Sequence, residues 1–278
     1  MATVIVTDSS AHIPDELLKE YGITVIPFHI HFEGEDFLEG EKYTHQEFYR
    51  KIKDSQEFPT TSQPSVGDFI KVFTSISTPG DNILGIFISS ALSGTIQSAR
   101  TAADYVKDRN VVIVDSLSST LGLGFQVLKA SECIKKAKDN ILQCLEEISA
   151  VRDKIRLFFL VDNLENLVRS GRLPKALGVI GNWLGIRPIL TVREGRLALY
   201  DKVRCKRKGL QRLVSDFEKA AKKAIIEKVA IAHVDAAADA ESLKQMLARI
   251  YSGTILIAEA GPAVGLHIGS GGLALIYY

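Results

Sequence analysis

The sequence is poor in the residues that staple or mark small domains: 278 residues include three cysteines, two methionines and one tryptophan. Cys133, Cys144 and Cys205 are odd in number, widely spaced and contain no C-x-x-C pair. They build neither a disulfide framework nor a zinc site, and a reducing, cytoplasmic setting is the expectation. An excess of one charge is also missing, because 34 Lys and Arg stand against 33 Asp and Glu. That balance removes any general electrostatic case for nucleic acid or an anionic membrane surface as partner. No apolar run approaches the roughly 18 residues that a membrane-spanning helix needs. The opening "MATVIVTDSS" enters a strand pattern with no basic leader ahead of it, so no integral membrane segment or export signal is expected.

Several chemical signatures are absent too. No G-x-x-x-x-G-K-[ST] phosphate loop occurs, and the six histidines show no metal-ligand spacing. The segment "GLGFQV" (122 to 127) supplies only two glycines of the dinucleotide fingerprint and does not directly follow a strand. Cofactors and metals are therefore not expected.

What is present is a hydrophobic content of 46%, enough for a sizeable core. In the first half, "TVIV" (3 to 6), "TVIPFHIHF" (24 to 32), "NILGIFI" (82 to 88) and "VVIV" (111 to 114) read as strands between amphipathic helices. Continuous apolar strands alternating with helices indicate a parallel sheet covered on both faces. "PDELLKEYG" (14 to 22) opens on proline and closes on glycine, and "SVGDFIKVFTSI" (65 to 76) opens Ser-x-x-Asp. In the strand run, His29 and His31 alternate with Phe28, Ile30 and Phe32 and so face away from the core.

From about residue 150 the pattern changes. A strand (156 to 162) precedes helical "NLENLVRSG" and "LPKALGVIGNWLG", and then "RPILTVREGRLALYDKVR" (187 to 204) reads as a hairpin around "REGR". A basic helix follows, then strands at 228 to 234, 253 to 259 and 273 to 278, with a helix near 239 to 250. The fold class expected is α/β in two lobes. Residues 1–150 form a doubly wound, mainly parallel sheet, and residues 151–278 a second α/β lobe with a mixed sheet.

Hydroxyl-rich segments cluster where such a sheet binds ligands. "TTSQPS" (60 to 65) runs into a helix and "SSALSGT" (89 to 95) links a strand to a helix, while "TDSS" (7 to 10) and "DSLSST" (115 to 120) leave other strands. Free backbone amides and hydroxyls at the positive end of a helix favour a carboxylate or phosphate. Taken singly, Ser93 is equally a helix cap, and Thr61 and Ser62 satisfy a turn. Ser93 lacks the glycines of a G-x-S-x-G nucleophile elbow, but a bare Ser93–His267 pairing leaves a Ser-dependent acyl hydrolase open. A phosphate-ligand or nucleotide enzyme is a third reading, disfavoured by the incomplete glycine motifs. His267 lies among Gly265, Gly269, Gly271 and Gly272, which permit close backbone approach.

Taken in order, "VTDSS", "TTSQPS", "SSALSGT", "VVIVDS", "SGRL" (170 to 173), "RPIL" (187 to 190) and "GLHIGSGGLAL" resemble the DegV family over essentially the whole chain. The resemblance implies a two-lobed α/β protein that holds one long-chain fatty acid, such as palmitate, between its lobes. It implies that Thr61 and Ser93 meet the carboxylate, with His267 near the head group and Ser62, Gly94, Thr95 and Gly269 supporting it. Arg172 and Arg204 become candidates for the head group or for a partner-facing rim, as does the basic run at 202 to 208. Some members of the family are the binding subunit of bacterial fatty acid kinase. The chain is then expected to be a lipid carrier in fatty acid metabolism and transport, presenting the acid to a separate ATP-using subunit rather than acting as an enzyme.

Overall fold

Val, Ile and Leu fill the strands that the sequence marks, and glycine or serine closes several of the helices between them, as Gly22, Ser55, Ser77 and Gly269 do. In the computed structural model, residues 2–137, 140–173 and 185–278 are described. The chain runs β1 (Thr3–Asp8), a 3-10 turn (Ser9–Ala11), α1 (Asp15–Tyr21), β2 (Ile23–Ile26), β3 (His29–Phe32), β4 (Glu35–Leu38), α2 (His45–Asp54) and β5 (Thr60–Ser62). It continues through α3 (Val66–Ile76), β6 (Asn82–Phe87), α4 (Thr95–Ala103), β7 (Asn110–Asp115), α5 (Thr120–Ala137) and α6 (Ile141–Lys154). The remainder is β8 (Arg156–Leu160), α7 (Glu165–Arg169), β9 (Arg187–Arg193), β10 (Arg196–Val203), α8 (Lys206–Ala221), β11 (Val229–His233), α9 (Ala237–Leu247), β12 (Ile255–Glu259), α10 (Pro262–Ile268) and β13 (Leu273–Tyr277).

The first sheet is parallel, in the order β2-β1-β6-β7. Phe69 and Phe73 of α3 and Ile96 of α4 pack on one face of it, and Leu123 and Val127 of α5 on the other. The second sheet, β10-β9-β8-β13-β11-β12, is mixed: only β11 and β12 run parallel within it. Its outer face carries Leu213 and Phe217 of α8 with Leu243 and Leu247 of α9. Its inner face receives Leu121 and Phe125 of α5. Helix α5 is thus a wedge with two apolar stripes, one for each sheet.

Gly122 and Gly124 serve that wedge. A Cβ on Gly122 would stand 3.0 Å from Leu157 Cδ1, and one on Gly124 would stand 2.8 Å from the Ala11 carbonyl oxygen. The two glycines of "GLGFQV" are therefore packing positions inside a helix, not a phosphate-binding turn.

The run 24 to 32, expected as one strand, is two. Pro27 has no N–H for a ladder, and the Phe28 N–H is taken by Ser9 Oγ at 3.1 Å. The chain turns there, and β3 joins a separate antiparallel sheet, β4-β3-β5. Within β3 the alternation holds: Ile30 and Phe32 are buried, while His29 and His31 face Asp68 and Ser62. The Ser65–Asp68 capping box forms at α3. The hairpin also forms, its two-residue turn made by Glu194 at φ 49° and Gly195 at φ 77°. The helix expected over "LPKALGVIGNWLG" falls mainly on 174–184, outside the described residues. No helix among the described residues is long and apolar enough to cross a membrane.

Candidate functional site

The carboxyl ends of β1, β6 and β7 point toward the inner face of the mixed sheet, the usual ligand edge of a doubly wound sheet. A cleft of about 870 Å³, including the open solvent at its mouth, lies there. Phe28, Ile88 and Leu92 line it from the first lobe, and Phe159, Val192, Leu197 and Ala274 from the second. Its polar lining includes Thr61, Gln63, Ser93, Arg172 and His267.

Strand alternation decides which hydroxyl of "TTS" enters. Thr61 faces the cleft, where its Oγ1 lies 3.3 Å from His267 Nε2. Its neighbour Ser62 points the opposite way, 2.9 Å from His31 Nε2, and does not line the cleft. Gln63, again on the inner side, does.

Ser93 is placed by a folded loop. Asp8 at the end of β1 accepts the Ile88 N–H at 2.8 Å, and the Leu92 and Ser93 N–H groups turn back to the Ser89 carbonyl at 2.9 and 3.1 Å. Burial pushes the Asp8 carboxyl up to about 6. The Ser93 hydroxyl accepts the Thr95 N–H at 3.3 Å and lies 2.8 Å from Thr95 Oγ1, so it both meets the first residue of α4 and lines the cleft. Gly94, the N-cap of α4, lies under the Gln63 amide: a Cβ there would be 2.8 Å from Gln63 Nε2. Thr95 is fully buried, and neither it nor Gly94 lines the cleft.

His267 rides on α10. Burial, with a smaller contribution from the Arg172 charge, pushes its imidazole down to about 4, so it is neutral at neutral pH. Its Nδ1 is buried and has no hydrogen-bond partner among the described residues. Gly269, at φ 85°, ends the helix just beyond it, and a Cβ there would be 3.0 Å from Asn166 Nδ2. Gly269 shapes the helix end and does not line the cleft.

Arg172 follows Gly171, whose φ of 71° turns the chain at the end of α7. The guanidinium donates to the Ser170 carbonyl at 2.5 Å, and burial lowers its pKa from the ordinary value. Among the described residues no carboxylate pairs with it. Arg204 is exposed at the start of α8 and does not reach the cleft.

No hydrogen bond joins Ser93 to His267. Ser93 is paired with Thr95 and His267 with Thr61, which is not the nucleophile–base arrangement an acyl hydrolase needs. Among the four strand exits, Ser119 and Thr120 of "DSLSST" line the cleft, but Ser9 and Ser10 of "TDSS" do not: their hydroxyls donate to Glu39 and Asp8. His233 also lines it, with its pKa lowered by burial. Sequence reasoning missed Gln63, although its i+2 relation to Thr61 carries the signal. It also missed His233, Glu39 and His12, which have no local one. Among the described residues no group of three or more metal-ligating side chains converges.

Residues 2–278 match the family described as "Uncharacterised protein, DegV family". A DegV domain-containing protein of Listeria monocytogenes is 36% identical over 277 residues, which cover 98% of this chain and 97% of the relative. Protein DegV of Bacillus subtilis is 31% identical over 278 residues, 100% of this chain and 99% of that one. Among solved structures, DegV of Bacillus subtilis, described as a fatty acid binding protein, superposes with a TM-score of 0.92 at 30% identity, covering 100% and 99% of the two chains. A DegV family protein of Thermus thermophilus, described for its fatty acid binding, gives 0.91 at 29% identity with the same coverage. The match over the full length and the superposition on solved DegV structures agree: the chain belongs to the DegV family.

Proposed function

We propose that this protein binds one long-chain fatty acid, of the palmitate class, between lobes 1–150 and 151–278. The observation that carries the reading is half-buried Arg172, with no carboxylate partner among the described residues, lining a mainly apolar cleft together with Thr61, Ser93 and His267. That distribution matches an amphiphile with a single anionic end. An acyl chain of about 15 methylenes at roughly 0.8 kcal/mol each yields about 12 kcal/mol of gross transfer free energy, before ordering costs. A hydrogen bond to a charged group adds about 1.5 to 3 kcal/mol. The tail therefore sets affinity, and the polar groups set orientation. Thr61 and Ser93 donate hydroxyl hydrogens to the carboxylate, Arg172 supplies the counter-charge, and neutral His267 holds Thr61.

The protein acts as a cytoplasmic carrier that presents the carboxylate to a separate ATP-dependent kinase subunit. There a carboxylate oxygen attacks the γ-phosphorus of ATP, the bond from that phosphorus to ADP breaks, and acyl phosphate and ADP form. Arg204, with Arg207 and Lys208 exposed on the first turn of α8, offers a cationic face for an acidic partner, whereas Lys206 is paired with Asp239 at 2.7 Å. Titrating delipidated protein with palmitate tests the binding: saturation at one per chain supports it, and no uptake refutes it. Arg204→Glu is expected to weaken a kinase complex while sparing palmitate; loss of palmitate instead would place Arg204 in the binding site.

A further inference from the structure

Helix α10 is seven residues long, too short to hold its own position through backbone hydrogen bonds. Side chains from the first lobe grip its entry. His12 Nε2 accepts the Gly261 N–H at 3.1 Å, Glu39 accepts the Ala263 N–H at 2.7 Å, and the Tyr49 hydroxyl donates to the Ala260 carbonyl at 2.6 Å. Because His12 Nε2 accepts, its proton sits on Nδ1 and is donated to Thr120 Oγ1 at 2.9 Å. Glu39 also accepts the Ser9 hydroxyl, and Ser9 Oγ in turn accepts the Phe28 N–H. Phe28 and Thr120 also line the cleft.

Glu39 is therefore a part-buried carboxyl linking the helix that carries His267 to the turn that carries Phe28. Burying an ionisable group costs free energy that a neutral cap would not. Burial, opposed by the Ser9 and Ala263 hydrogen bonds, pushes this carboxyl up to about 7. The ionisable groups around it are Asp8, His12, Tyr49 and His45, whose Nε2 would lie 3.0 Å from a Cβ on Gly261.

We propose that Glu39 is a positioning residue: by joining the first turn of α10 to the Ser9–Phe28 segment, it fixes where His267 stands against Thr61 and hence where a bound carboxylate lies. The carboxylate half of this statement rests on the fatty-acid reading; the His267 half does not.

The test uses the full chain and its histidine ring resonances, with His267 assigned by the signal lost in His267→Gln. In the wild type, burial pushes His267 down to about 4, and its midpoint is expected well below the ordinary value. Glu39→Gln keeps an acceptor for Ala263 and is expected to leave that midpoint unchanged. Glu39→Asp, one methylene short of Ala263, is expected to raise it toward 6.5, the ordinary value, as the ring leaves its buried place. Glu39→Ala should do the same with an unchanged circular dichroism spectrum; if it does not fold, the Asp and Gln pair decides. Glu39 bonds the Ala263 N–H and not the His267 ring, so a shift in Asp that Gln does not share reports a moved ring. A wild-type midpoint in Glu39→Asp, or an equal shift in Gln and Asp, overturns the proposal. Added [1-13C]palmitate gives the second arm: its bound carboxyl resonance should move in Asp and not in Gln. A wild-type protein with no bound carboxyl resonance defeats the fatty-acid reading, and the His267 titration still decides the role of Glu39.

Discussion

The two lobes bring different chemistry to one cleft. The first supplies hydroxyls and an amide from a three-residue edge strand, the loops at strand ends and a helix start: Thr61, Gln63, Ser93, Ser119 and Thr120. The second supplies an apolar wall from strands, with Phe159, Val192, Leu197 and Ala274, and adds the charge and the imidazole of Arg172 and His267. Loops at strand ends can place donors without disturbing a core, whereas neighbouring strands of a sheet give a continuous greasy surface. Hydroxyls from the first lobe and a charge from the second can orient one end of a ligand, while the apolar wall solvates its tail, which separates specificity from affinity.

That division can be broken from the apolar side with the largest effect. Leu197, 7% exposed and in register with Val192 across the hairpin, points into the cleft. Leu197→Glu places an unpaired carboxylate there, and palmitate affinity measured by calorimetry should fall by more than about 100-fold, since burying such a charge costs several kcal/mol. Next is the charge. Arg172→Ala should weaken palmitate by roughly 10- to 100-fold, the loss of one hydrogen bond to a charged group. Its affinity for the corresponding fatty alcohol should be unchanged; an equal loss for the alcohol would make Arg172 a packing residue.

The interface between the lobes has its own pH signature. Glu39, raised from 4.5 to about 7, keeps its proton in the folded chain after the unfolded chain has lost it. Its stabilising contribution is therefore present below 4.5 and is lost as pH rises through 7. Relative to the wild type, Glu39→Gln should gain on the order of 2 kcal/mol in urea unfolding between pH 4.5 and 8. His267 works in the opposite direction: its contribution is present above 6.5 and is lost as pH falls through 4. The smallest change in affinity is expected from the hydroxyls. Ser93→Ala and Thr61→Ala should retain palmitate within about tenfold yet lose acyl-phosphate formation with a kinase subunit. Wild-type product formation would remove the hydroxyls from the orienting role.

The parallel sheet was legible because its strands are continuous apolar runs between capped helices, and the hairpin because Glu194-Gly195 sits between two such runs. The third sheet was not legible: "TTS" and "EDFL" carry no apolar period, and β3 pairs with β5 only after the turn at Pro27. Hydroxyl richness located the cleft but not the direction of each side chain. Ser62 turns to His31, and Ser9 and Ser10 serve carboxylates. Glu39 and His12 are isolated ionisable residues near chain turns, and their partners lie 224 and 249 residues away. Tertiary packing alone gives them meaning.

The most direct test of the central claim is organic extraction and mass spectrometry of gently purified protein. One long-chain fatty acid per chain is the predicted result. A folded protein that yields none, and takes up no added palmitate, contradicts it.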